Sequence, residues 1–360
     1  MNLLVMTSHA GSYNSVRPEA EIYISLAKRG YDITIMVQED GPYNSRFLEH
    51  NIKVIPASYK KKINLNVISN AKKIIKNEKI DIVYATYSKT ISNAVLASIG
   101  TNVKLITYRG TTGGLYKHDL SSYLNALNPR VDGIICVSED VTKHVLKKVS
   151  SNKKVVTIYK GHKKEWYQNG EVDLSEFGTD KNNFNIAFVA NVRPHKGLIY
   201  LLEAARKLSD IKNIHILLIG KKISQEPYIS AIKNSGMQER IHVTGYRNDV
   251  PAIISACDIL VHASIRKEGL PRIILESLAC NTPVIASSNP SSLEIIEEGI
   301  NGYITPMKDS TALAEKILEM QNSPEKLLQL SKNTVATIDG KFSHEKTVES
   351  FISYFESIIK

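Results

Sequence analysis

Residues 259–286 read ILVHASIRKEGLPRIILESLACNTPVIA, and this stretch predicts one complete strand–helix–strand unit. Its two ends, Ile259–Val261 and Val284–Ala286, are short continuous apolar runs, which are typical of parallel strands covered on both faces. Residues 271–280 are predicted to form a helix that begins at Pro271, because proline suits the first helical position, where no N–H is needed. A strand, a helix and a second strand in this order predict a parallel sheet with helices packed against it.

The same alternation extends along the whole chain and predicts an α/β protein with two Rossmann-like domains. Further strands are predicted at Leu3–Met6, Ile33–Val37, Val54–Ile55, Ile80–Tyr84, Leu105–Thr107, Ile134–Val137, Ile186–Ala190, Ile214–Ile219 and Ile241–Val243. Further helices are predicted at 17–29, 64–77, 89–99, 139–149, 197–209, 225–235, 250–256, 291–297, 310–321, 324–337 and 343–359. Residues 160–183 lack a strong period and are interpreted as a linker, so we expect domains at 1–160 and 161–342 and a last helix within 343–360. We expect a cleft between the domains, with ligands bound beyond the carboxyl ends of the strands.

The composition is that of an ordinary soluble globular protein. The chain has 360 residues, 42% of them hydrophobic and 23% charged, which is close to average usage. No apolar run approaches the roughly 18 residues of a membrane-spanning helix, and the first residues do not resemble a signal peptide. Cys136, Cys257 and Cys280 lie far apart in apolar segments, which favours reduced thiols over a disulfide framework. We therefore expect a cytoplasmic protein.

Positive charge is concentrated in the first half of the chain. Residues 1–160 contain 23 Lys and Arg against 12 Asp and Glu, a surplus of 11, whereas residues 161–360 contain 23 against 24. An anionic membrane surface, an acidic substrate, nucleic acid or simply a solvated lysine-rich face would each account for this surplus. No recognised nucleic-acid-binding module is present, so we expect no nucleic acid as a partner.

Two glutamates flank the start of the helix predicted at 271–280. Glu268 lies in the preceding loop, and Glu276 lies five residues after Pro271, about 7 Å along the helix axis. The free backbone N–H groups and the dipole of the helix favour an anion at this end. A carboxylate on each side of a diphosphate site suits a nucleotide-sugar, in which a sugar, a diphosphate and a ribose follow one another. A structural ion pair would also account for Glu276, because a buried carboxylate needs a partner.

Two further loops carry polar residues after predicted strands. In Asn191-Val-Arg-Pro-His-Lys-Gly197, Arg193 and Lys196 would stabilise the charge on a departing diphosphate, or would form a solvated basic turn. Tyr108-Arg-Gly-Thr-Thr-Gly-Gly-Leu115 could approach a ligand closely, or could simply be flexible. No dinucleotide fingerprint, P-loop, D-x-D pair, Cys pair or H-E-x-x-H is found, so we expect neither a dinucleotide cofactor nor a metal site.

With these motifs the chain resembles the retaining glycosyltransferases of family 4, which have the GT-B fold. The resemblance covers essentially the whole chain and is strongest from Asn185 to Pro306, where Glu268 and Glu276 form an E-x7-E motif downstream of R-P-x-K-G. It implies a metal-independent hexosyltransferase whose donor is a UDP or GDP sugar and which needs no other cofactor. It also implies that the N-terminal domain binds a saccharide or lipid-linked saccharide acceptor, in cell-surface polysaccharide or lipopolysaccharide assembly.

The resemblance also implies roles for single residues. Glu268 would contact the donor sugar, Glu276 the ribose, and Arg193 and Lys196 the diphosphate. Further donor-binding positions would be Gly269, Leu270, Pro271, Arg272 and Ile273 at the helix start, Gly220, Tyr246 and Arg247 around the nucleobase, and Gly11 near the phosphates. The last helix typically crosses back to the N-terminal domain in such folds. Retention would let a donor phosphate oxygen take the acceptor proton, so no side-chain base would be required.

Two positions depart from the family pattern. Asn191 stands where an arginine is common, and Arg193 would take over its role. Tyr108-Arg109 stands where a histidine near the reacting centre is common, and Arg109 stays protonated, so it cannot act as a base. Arg109 would instead position the diphosphate or an anionic acceptor, and His118 is a second substitute. The alternatives are a nucleotide-sugar epimerase of the same fold and, in a different class, a basic nucleic-acid-binding protein. With a lipid-linked acceptor, the basic first half would hold a peripheral enzyme on the inner face of the cytoplasmic membrane.

Overall fold

The protein divides into two compact units. The structure, a computed structural model, describes residues 1–167, 170–266 and 268–360. Unit 1 comprises Met1–Gly161 and His344–Lys360, and unit 2 comprises His162–Ser343. The predicted boundaries at 160/161 and 342/343 lie within one residue of these limits. The chain therefore forms unit 2 between two segments of unit 1.

Unit 1 contains a parallel sheet of seven strands. They are β1 (Asn2–Met6), β2 (Asp32–Val37), β3 (Lys53–Pro56), β4 (Ile82–Ala85), β5 (Lys104–Arg109), β6 (Gly133–Cys136) and β7 (Lys154–Thr157). They pair in the order β3-β2-β1-β4-β5-β6-β7. The helices between them are α1 (Tyr13–Lys28), α2 (Asn44–Glu49), α3 (Leu65–Asn77), α4 (Ser88–Ser98), α5 (Leu120–Tyr123) and α6 (Glu139–Leu146).

Unit 2 repeats this architecture with six parallel strands. They are β8 (Phe184–Val189), β9 (Ile214–Ile219), β10 (Ile241–Gly245), β11 (Ile259–His262), β12 (Val284–Ser287) and β13 (Gly302–Thr305), in the order β10-β9-β8-β11-β12-β13. Its helices are α7 (Leu198–Lys207), α8 (Tyr228–Lys233), α9 (Val250–Ser255), α10 (Arg272–Ala279), α11 (Pro290–Leu293), α12 (Ser310–Gln321) and α13 (Pro324–Asp339). The last helix, α14 (His344–Ile359), belongs to unit 1 and contacts α1.

The central strands of both sheets are buried on both faces. Leu3, Leu4 and Val5 of β1 are fully buried, as are Ile186 and Ala187 of β8. Removing each large apolar side chain from water is worth about 1.5–3 kcal/mol. The continuous apolar runs of the sequence therefore mark these strands correctly, and the predicted α/β class with two Rossmann-like domains is confirmed.

The strand order reverses once in each sheet, and this reversal positions the polar loops. In unit 2 the chain proceeds from β8 to β9 and β10, and then returns to place β11 on the other side of β8. The loops after β8 and β11 therefore leave the sheet side by side at its carboxyl edge, where open α/β sheets bind ligands. Asn191–Gly197 belongs to the first loop, and residues 263–266 and 268–271 belong to the second.

Some elements differ from the prediction. The edge strands β7 and β13 were not predicted, because a lysine begins the first and a glycine the second, which leaves only short apolar runs. The short helices α2 and α5 were also missed, and the helices predicted at 139–149 and 291–297 end earlier, at Leu146 and Leu293. The predicted linker 160–183 contains two short 3-10 helices, Lys164–Trp166 and Leu174–Phe177, and its residues 168 and 169 lie outside the described residues. Within the described ranges, no helix has the length and hydropathy needed to cross a membrane.

Candidate active site

The N-terminal end of helix α10 has no side-chain cap for its first backbone N–H groups. The helix starts at Arg272, one residue after the predicted start, and Pro271 is its N-cap. Pro271 provides no side-chain cap, and no acidic side chain lies in the first turn. Because the first amides of a helix carry partial positive charge, this end favours an anion. Ile274 and Leu275 are fully buried and hold the helix in place, while residues 269–271 connect it to Glu268.

Glu268 and Lys196 form an ion pair in unit 2. Nζ of Lys196 lies 2.8 Å from Oε1 of Glu268, and the two side chains are 29% and 15% exposed. Nε2 of His262 lies 3.6 Å from the same oxygen. Burial alone would raise the pKa of the Glu268 carboxyl, but His262 and Lys196 more than offset this and hold the pKa well below its usual range. Glu268 is therefore a charged carboxylate, and an anionic ligand would compete with it for the ammonium group of Lys196.

The backbone fixes Lys196 beside the loop of Glu268. Gly197, the next residue, has φ 72°, and a Cβ there would lie only 1.8 Å from the carbonyl oxygen of Ala263. No other residue than glycine fits this approach without a shift of the main chain. The N–H of Ile265 also donates to the carbonyl oxygen of His195 at 2.9 Å. The R-P-x-K-G segment and the loop after β11 are therefore joined through their main chains.

Glu276 is buried in α10 and is paired within its own helix. Nε of Arg272, one turn earlier, lies 2.7 Å from Oε1 of Glu276. The side chain of Glu276 is 7% exposed and that of Arg272 is 45% exposed. The structure thus contains the ion pair that the sequence left as an alternative for Glu276. Because the carboxylate of Glu276 is buried, displacing Arg272 is unfavourable unless a ligand replaces it as the partner of Glu276.

Other predicted donor-binding residues follow the adjacent strands β8, β9 and β10. Arg193 is exposed in the loop after β8 and brings a second cation to the carboxyl edge. Gly220 follows β9 with φ 134°, and a Cβ there would lie 1.9 Å from the carbonyl oxygen of Ala190. Tyr246 follows β10, is 49% exposed, and has the ammonium group of Lys221 4.6 Å above its ring. Tyr246 and Lys221 therefore form an exposed aromatic and cationic surface beside the sheet edge.

The guanidinium group of Arg247 is held by neighbouring acidic and aromatic side chains. Its Nε and Nη2 atoms donate to the two carboxylate oxygens of Asp249 at 2.8 and 2.5 Å, and Nη2 also lies 3.2 Å from Glu176. The guanidinium group lies 5.2 Å from the ring centre of Phe177. A bidentate pair of this kind fixes the orientation of the arginine. Tyr246 is more exposed than Arg247, and the predicted contact of Arg247 with a nucleobase stays a prediction.

Three predicted residues lie in unit 1. Gly11 is exposed between β1 and α1, where a Cβ would meet the rotatable side chain of Ser15. His118 is exposed and stacks on Tyr116, with ring centres 5.4 Å apart. Arg109 ends β5, and its guanidinium group turns back to its own loop.

Arg109 shapes the glycine- and threonine-rich loop of unit 1. Its Nε donates to the carbonyl oxygen of Thr111 at 2.9 Å, and Nη2 donates to the carbonyl oxygen of Gly113. Burial lowers the pKa of Arg109, but a guanidinium group remains protonated in proteins. These contacts give Arg109 a structural task that the sequence did not indicate.

Sequence reasoning also missed a buried polar network in unit 1. The carboxylate of Glu19 accepts hydrogen bonds from Thr7 and Tyr23, both at 3.0 Å, lies 3.3 Å from Nε2 of His9, and pairs with Lys160. Burial alone would raise the pKa of Glu19, but Lys160 and His9 hold it well below its usual range. The available signal was position, because Glu19 and Tyr23 lie four residues apart on the buried face of α1.

The metal prediction depends on how the histidine, cysteine and acidic side chains are grouped. His215 and His242, which were interpreted as structural, contact each other, with Nδ1 and Nε2 2.9 Å apart. His262, at the end of β11 beside Glu268, was not singled out from the sequence. In the part of the chain that the structure describes, no group of three or more His, Cys, Asp and Glu side chains could hold a metal ion.

Comparisons with known proteins match both units. Residues 20–165 match the model of Glycosyltransferase Family 4, and residues 171–336 match that of Glycosyl transferases group 1. N-acetyl-alpha-D-glucosaminyl L-malate synthase of Bacillus anthracis is 21% identical, over 82% of this chain and 80% of its own. N,N'-diacetylbacillosaminyl-diphospho-undecaprenol alpha-1,3-N-acetylgalactosaminyltransferase of Campylobacter jejuni is 25% identical, over 98% of both chains. The crystal structure of Anabaena HepE in complex with UDP has a TM-score of 0.82 and 20% identity, over 99% of this chain and 100% of that one.

These findings agree with the strand order and with the loops at the carboxyl edge of unit 2. The two family models follow one another along the chain and cover most of it, and the likeness to HepE extends over both units. The protein therefore belongs to the family-4 glycosyltransferases, with the GT-B fold.

Proposed function

We propose that the protein is a retaining glycosyltransferase that moves a sugar from a UDP-sugar to a lipid-linked saccharide. The observation that carries this proposal is the Lys196–Glu268 pair in unit 2, next to the open N-terminal end of α10. Anabaena HepE has been crystallised with UDP and with UDP-glucose, which supports a UDP-sugar as the donor. The acceptor is proposed from the name of the Campylobacter jejuni relative, a transferase acting on a diphospho-undecaprenol saccharide.

Donor binding uses the groups at the carboxyl edge of unit 2. The first amides of α10 and the cations Lys196 and Arg193 bind the diphosphate, since preorganised positive groups suit that charge. Glu268 accepts hydrogen bonds from the sugar hydroxyls. Glu276 accepts them from the ribose after Arg272 has turned away. The site uses no metal ion, because these protein groups supply the positive charge.

The reaction proceeds with retention at the anomeric carbon. The bond from that carbon to the β-phosphate oxygen breaks, and a bond to the acceptor oxygen forms on the same face. The acceptor proton passes to an oxygen of the departing phosphate, so no side-chain base is needed. Lys196 and the helix amides stabilise the negative charge that develops on the diphosphate, which is where such a site contributes most to the rate.

Unit 1 binds the acceptor and docks on an anionic membrane surface. Its exposed lysines include Lys60, Lys61, Lys72, Lys73 and Lys76. Exposed apolar side chains accompany them, with Leu65 78% and Leu120 84% exposed. Each basic residue near an anionic membrane surface is worth about 1 kcal/mol, so several lysines and two apolar contacts give stable but salt-sensitive binding.

Binding and turnover measurements test the donor and the reaction type. We expect a UDP-sugar to raise the melting temperature, because a ligand that binds only the native state stabilises it, and GDP-sugars to have no effect. Product analysis with a diphospho-undecaprenol saccharide should show a new glycoside of the same anomeric configuration as the donor. Consumption of the donor without an acceptor would instead indicate an epimerase. Absence of binding by all UDP- and GDP-sugars would contradict the proposal.

Sedimentation with vesicles tests the membrane surface separately. We expect binding to vesicles that contain anionic lipid, weakened by salt, and weakened further by Leu65→Asn combined with Leu120→Asn. As a control, substitution of Lys316 and Lys326 of unit 2 should leave vesicle binding unchanged, since both lysines pair with Glu319. Binding that ignores both salt and anionic lipid content would contradict docking by this surface.

Transfer to a soluble acceptor such as malate, the acceptor in the name of the Bacillus anthracis relative, would exclude the lipid-linked acceptor.

A further inference from the structure

We infer that His262 is a positioning residue for the donor site, which takes over the carboxylate of Glu268 when Lys196 turns to the donor diphosphate. This inference rests on the proposed function, because it concerns the same site. It concerns a side chain that contacts neither the donor nor the acceptor directly.

His262 is buried without a hydrogen-bond partner. It is the last residue of β11 and is 5% exposed. Among the residues that the structure describes, neither of its ring nitrogens has a hydrogen-bond partner. A buried polar group left in this state costs free energy, so native proteins keep few of them and usually for a reason.

The acidic group beside His262 is the carboxylate of Glu268, and it is a partner that the unpaired ring nitrogen could bind. Nε2 of His262 lies 3.6 Å from Oε1 of Glu268, which is too far for a hydrogen bond but close enough to form one after a shift of less than about 1 Å. At present Lys196 holds this oxygen at 2.8 Å. A small cavity of about 10 Å³ adjoins the histidine, which is room for about one water molecule.

Donor binding would remove the present partner of Glu268. If Lys196 moves to the diphosphate, the 15%-exposed carboxylate of Glu268 loses its closest cation. An uncompensated buried charge is strongly unfavourable. A hydrogen bond from protonated His262 restores the balance and keeps the second oxygen of Glu268 directed to the sugar hydroxyls. Donor binding is then coupled to uptake of one proton by His262.

Several other charged or titratable groups surround this pair. The 3-10 helix Pro194–Lys196 contributes His195 and Lys196, and the loop after β11 contributes Arg266 and Glu268. The cavity wall adds groups from α7 and from the loop after β13, namely Tyr200, Lys308 and Asp309. Because this set includes several cations, the exchange depends on the carboxylate of Glu268. This dependence can be measured without any donor.

Nuclear magnetic resonance of labelled histidine provides the ligand-free test. The signal of His262 is assigned with His262→Gln, and its titration is followed between about pH 5 and 9. Lys196→Met imitates the departure of the lysine, and Lys196→Gln serves if the first variant is poorly folded. We expect the titration midpoint of His262 to rise in Lys196→Met, and to rise much less when Glu268→Gln is also present. Equal rises in both backgrounds would reflect only the loss of a like charge and would overturn the inference.

Donor kinetics provide the second test. We expect His262→Leu to raise the KM for the donor about tenfold with kcat nearly unchanged, because a hydrogen bond to a charged group is lost. His262→Gln retains a neutral donor group, so it should recover part of this loss. Because donor binding takes up a proton at His262, the KM of the native protein should rise with pH, and this rise should be absent in His262→Gln. Equal damage by Leu and Gln, with an unchanged pH profile, would indicate a structural role and would contradict the exchange. A failure of the UDP-sugar proposal leaves the magnetic-resonance result unaffected, so the two failures can be told apart.

Discussion

Units 1 and 2 share a parallel sheet and one reversal of strand order, but they use charge at the carboxyl edge in opposite ways. In unit 1, Glu19 and Lys160 form an ion pair in which the Glu19 side chain is 6% exposed and saturated with hydrogen bonds. In unit 2, Lys196 is 29% exposed and its ammonium group pairs with Glu268, where an anionic ligand could attract it away. The same architecture can therefore use a charged side chain either to hold loops together or to bind a ligand. The burial of the side chain and the number of its hydrogen bonds determine which of the two roles it has.

Breaking the pair in unit 1 should have the largest effect on stability. We expect Glu19→Leu to lower the free energy of unfolding by about 3–5 kcal/mol, because it leaves the charge of Lys160 without its partner. The measurement is urea denaturation. Glu21→Leu in the same helix is the matched control, since Glu21 pairs with a 42%-exposed Arg46 and such pairs contribute about 1 kcal/mol or less. Equal losses in the two variants would contradict the assignment of a structural role to the buried pair.

Breaking the pair in unit 2 should affect turnover more than stability. We expect Lys196→Ala to lower kcat/KM about 100- to 1000-fold, the range for loss of one preorganised group that stabilises developing charge. Its urea midpoint should fall less than that of Glu19→Leu, because the Glu268 side chain is more exposed to water than that of Glu19. Lys212→Ala is the control, because Lys212 is an exposed lysine of the same unit whose ammonium group contacts only a main-chain oxygen, at 3.4 Å. Native turnover in Lys196→Ala would remove the central support for the proposed site.

Much of the fold could be predicted from the sequence, and the reason lies in burial. Strands such as β1 and β8 are covered on both faces, so all their residues except Asn2 and Asn185 are apolar and the run is visible in the sequence. The edge strands β7 and β13 have one neighbour each, and their sequences retain polar or small residues. They are fixed by pairing with a neighbouring strand, which a local pattern does not contain.

The candidate site could be predicted only in part, for a related reason. Lys196 and Glu268 follow strands on the two sides of the reversal, so topology alone brings their loops together. The partner of Glu276 is Arg272, one turn away, and this pair was only one of two interpretations of the sequence. His262 was missed because its significance depends on a distance to Glu268 across a loop. The contacts of Arg247 and Arg109 likewise depend on loop conformations that no periodic pattern encodes.

A glycine in each unit sharpens the comparison at the level of the main chain. We expect Gly197→Ala to lower stability by about 2 kcal/mol or more, because φ is 72° and the new Cβ would lie 1.8 Å from a carbonyl oxygen. Donor binding should fall with it, since Lys196 is the neighbouring residue. Gly30→Ala in unit 1 is the matched control, with φ 87° and open space around the new Cβ, so about 1 kcal/mol is expected from backbone strain alone. Urea denaturation of both variants measures the difference, and similar losses would show that the close approach to Ala263 is not tight.

The smallest expected effect is a dependence of the melting temperature on pH. It comes from His215 and His242 of unit 2. Burial lowers the pKa of both histidines, and each is lowered further by a nearby positive group, Arg240 for His215 and protonated His215 for His242. A histidine whose pKa is lowered by folding stabilises the native state above its ordinary pKa, and this contribution is lost as the pH falls below about 6.5. The buried carboxylate of Glu19 has a lowered pKa as well, but its contribution persists until the pH falls below about 4.5. We therefore expect the melting temperature to fall by about 2 °C or less between pH 7.5 and 5.5, and most of the fall to disappear in His215→Gln combined with His242→Gln. His195, whose pKa is also lowered by burial and by Lys196, accounts for the remainder. The same fall in this double variant would mean that groups other than the two histidines cause the acid sensitivity of unit 2.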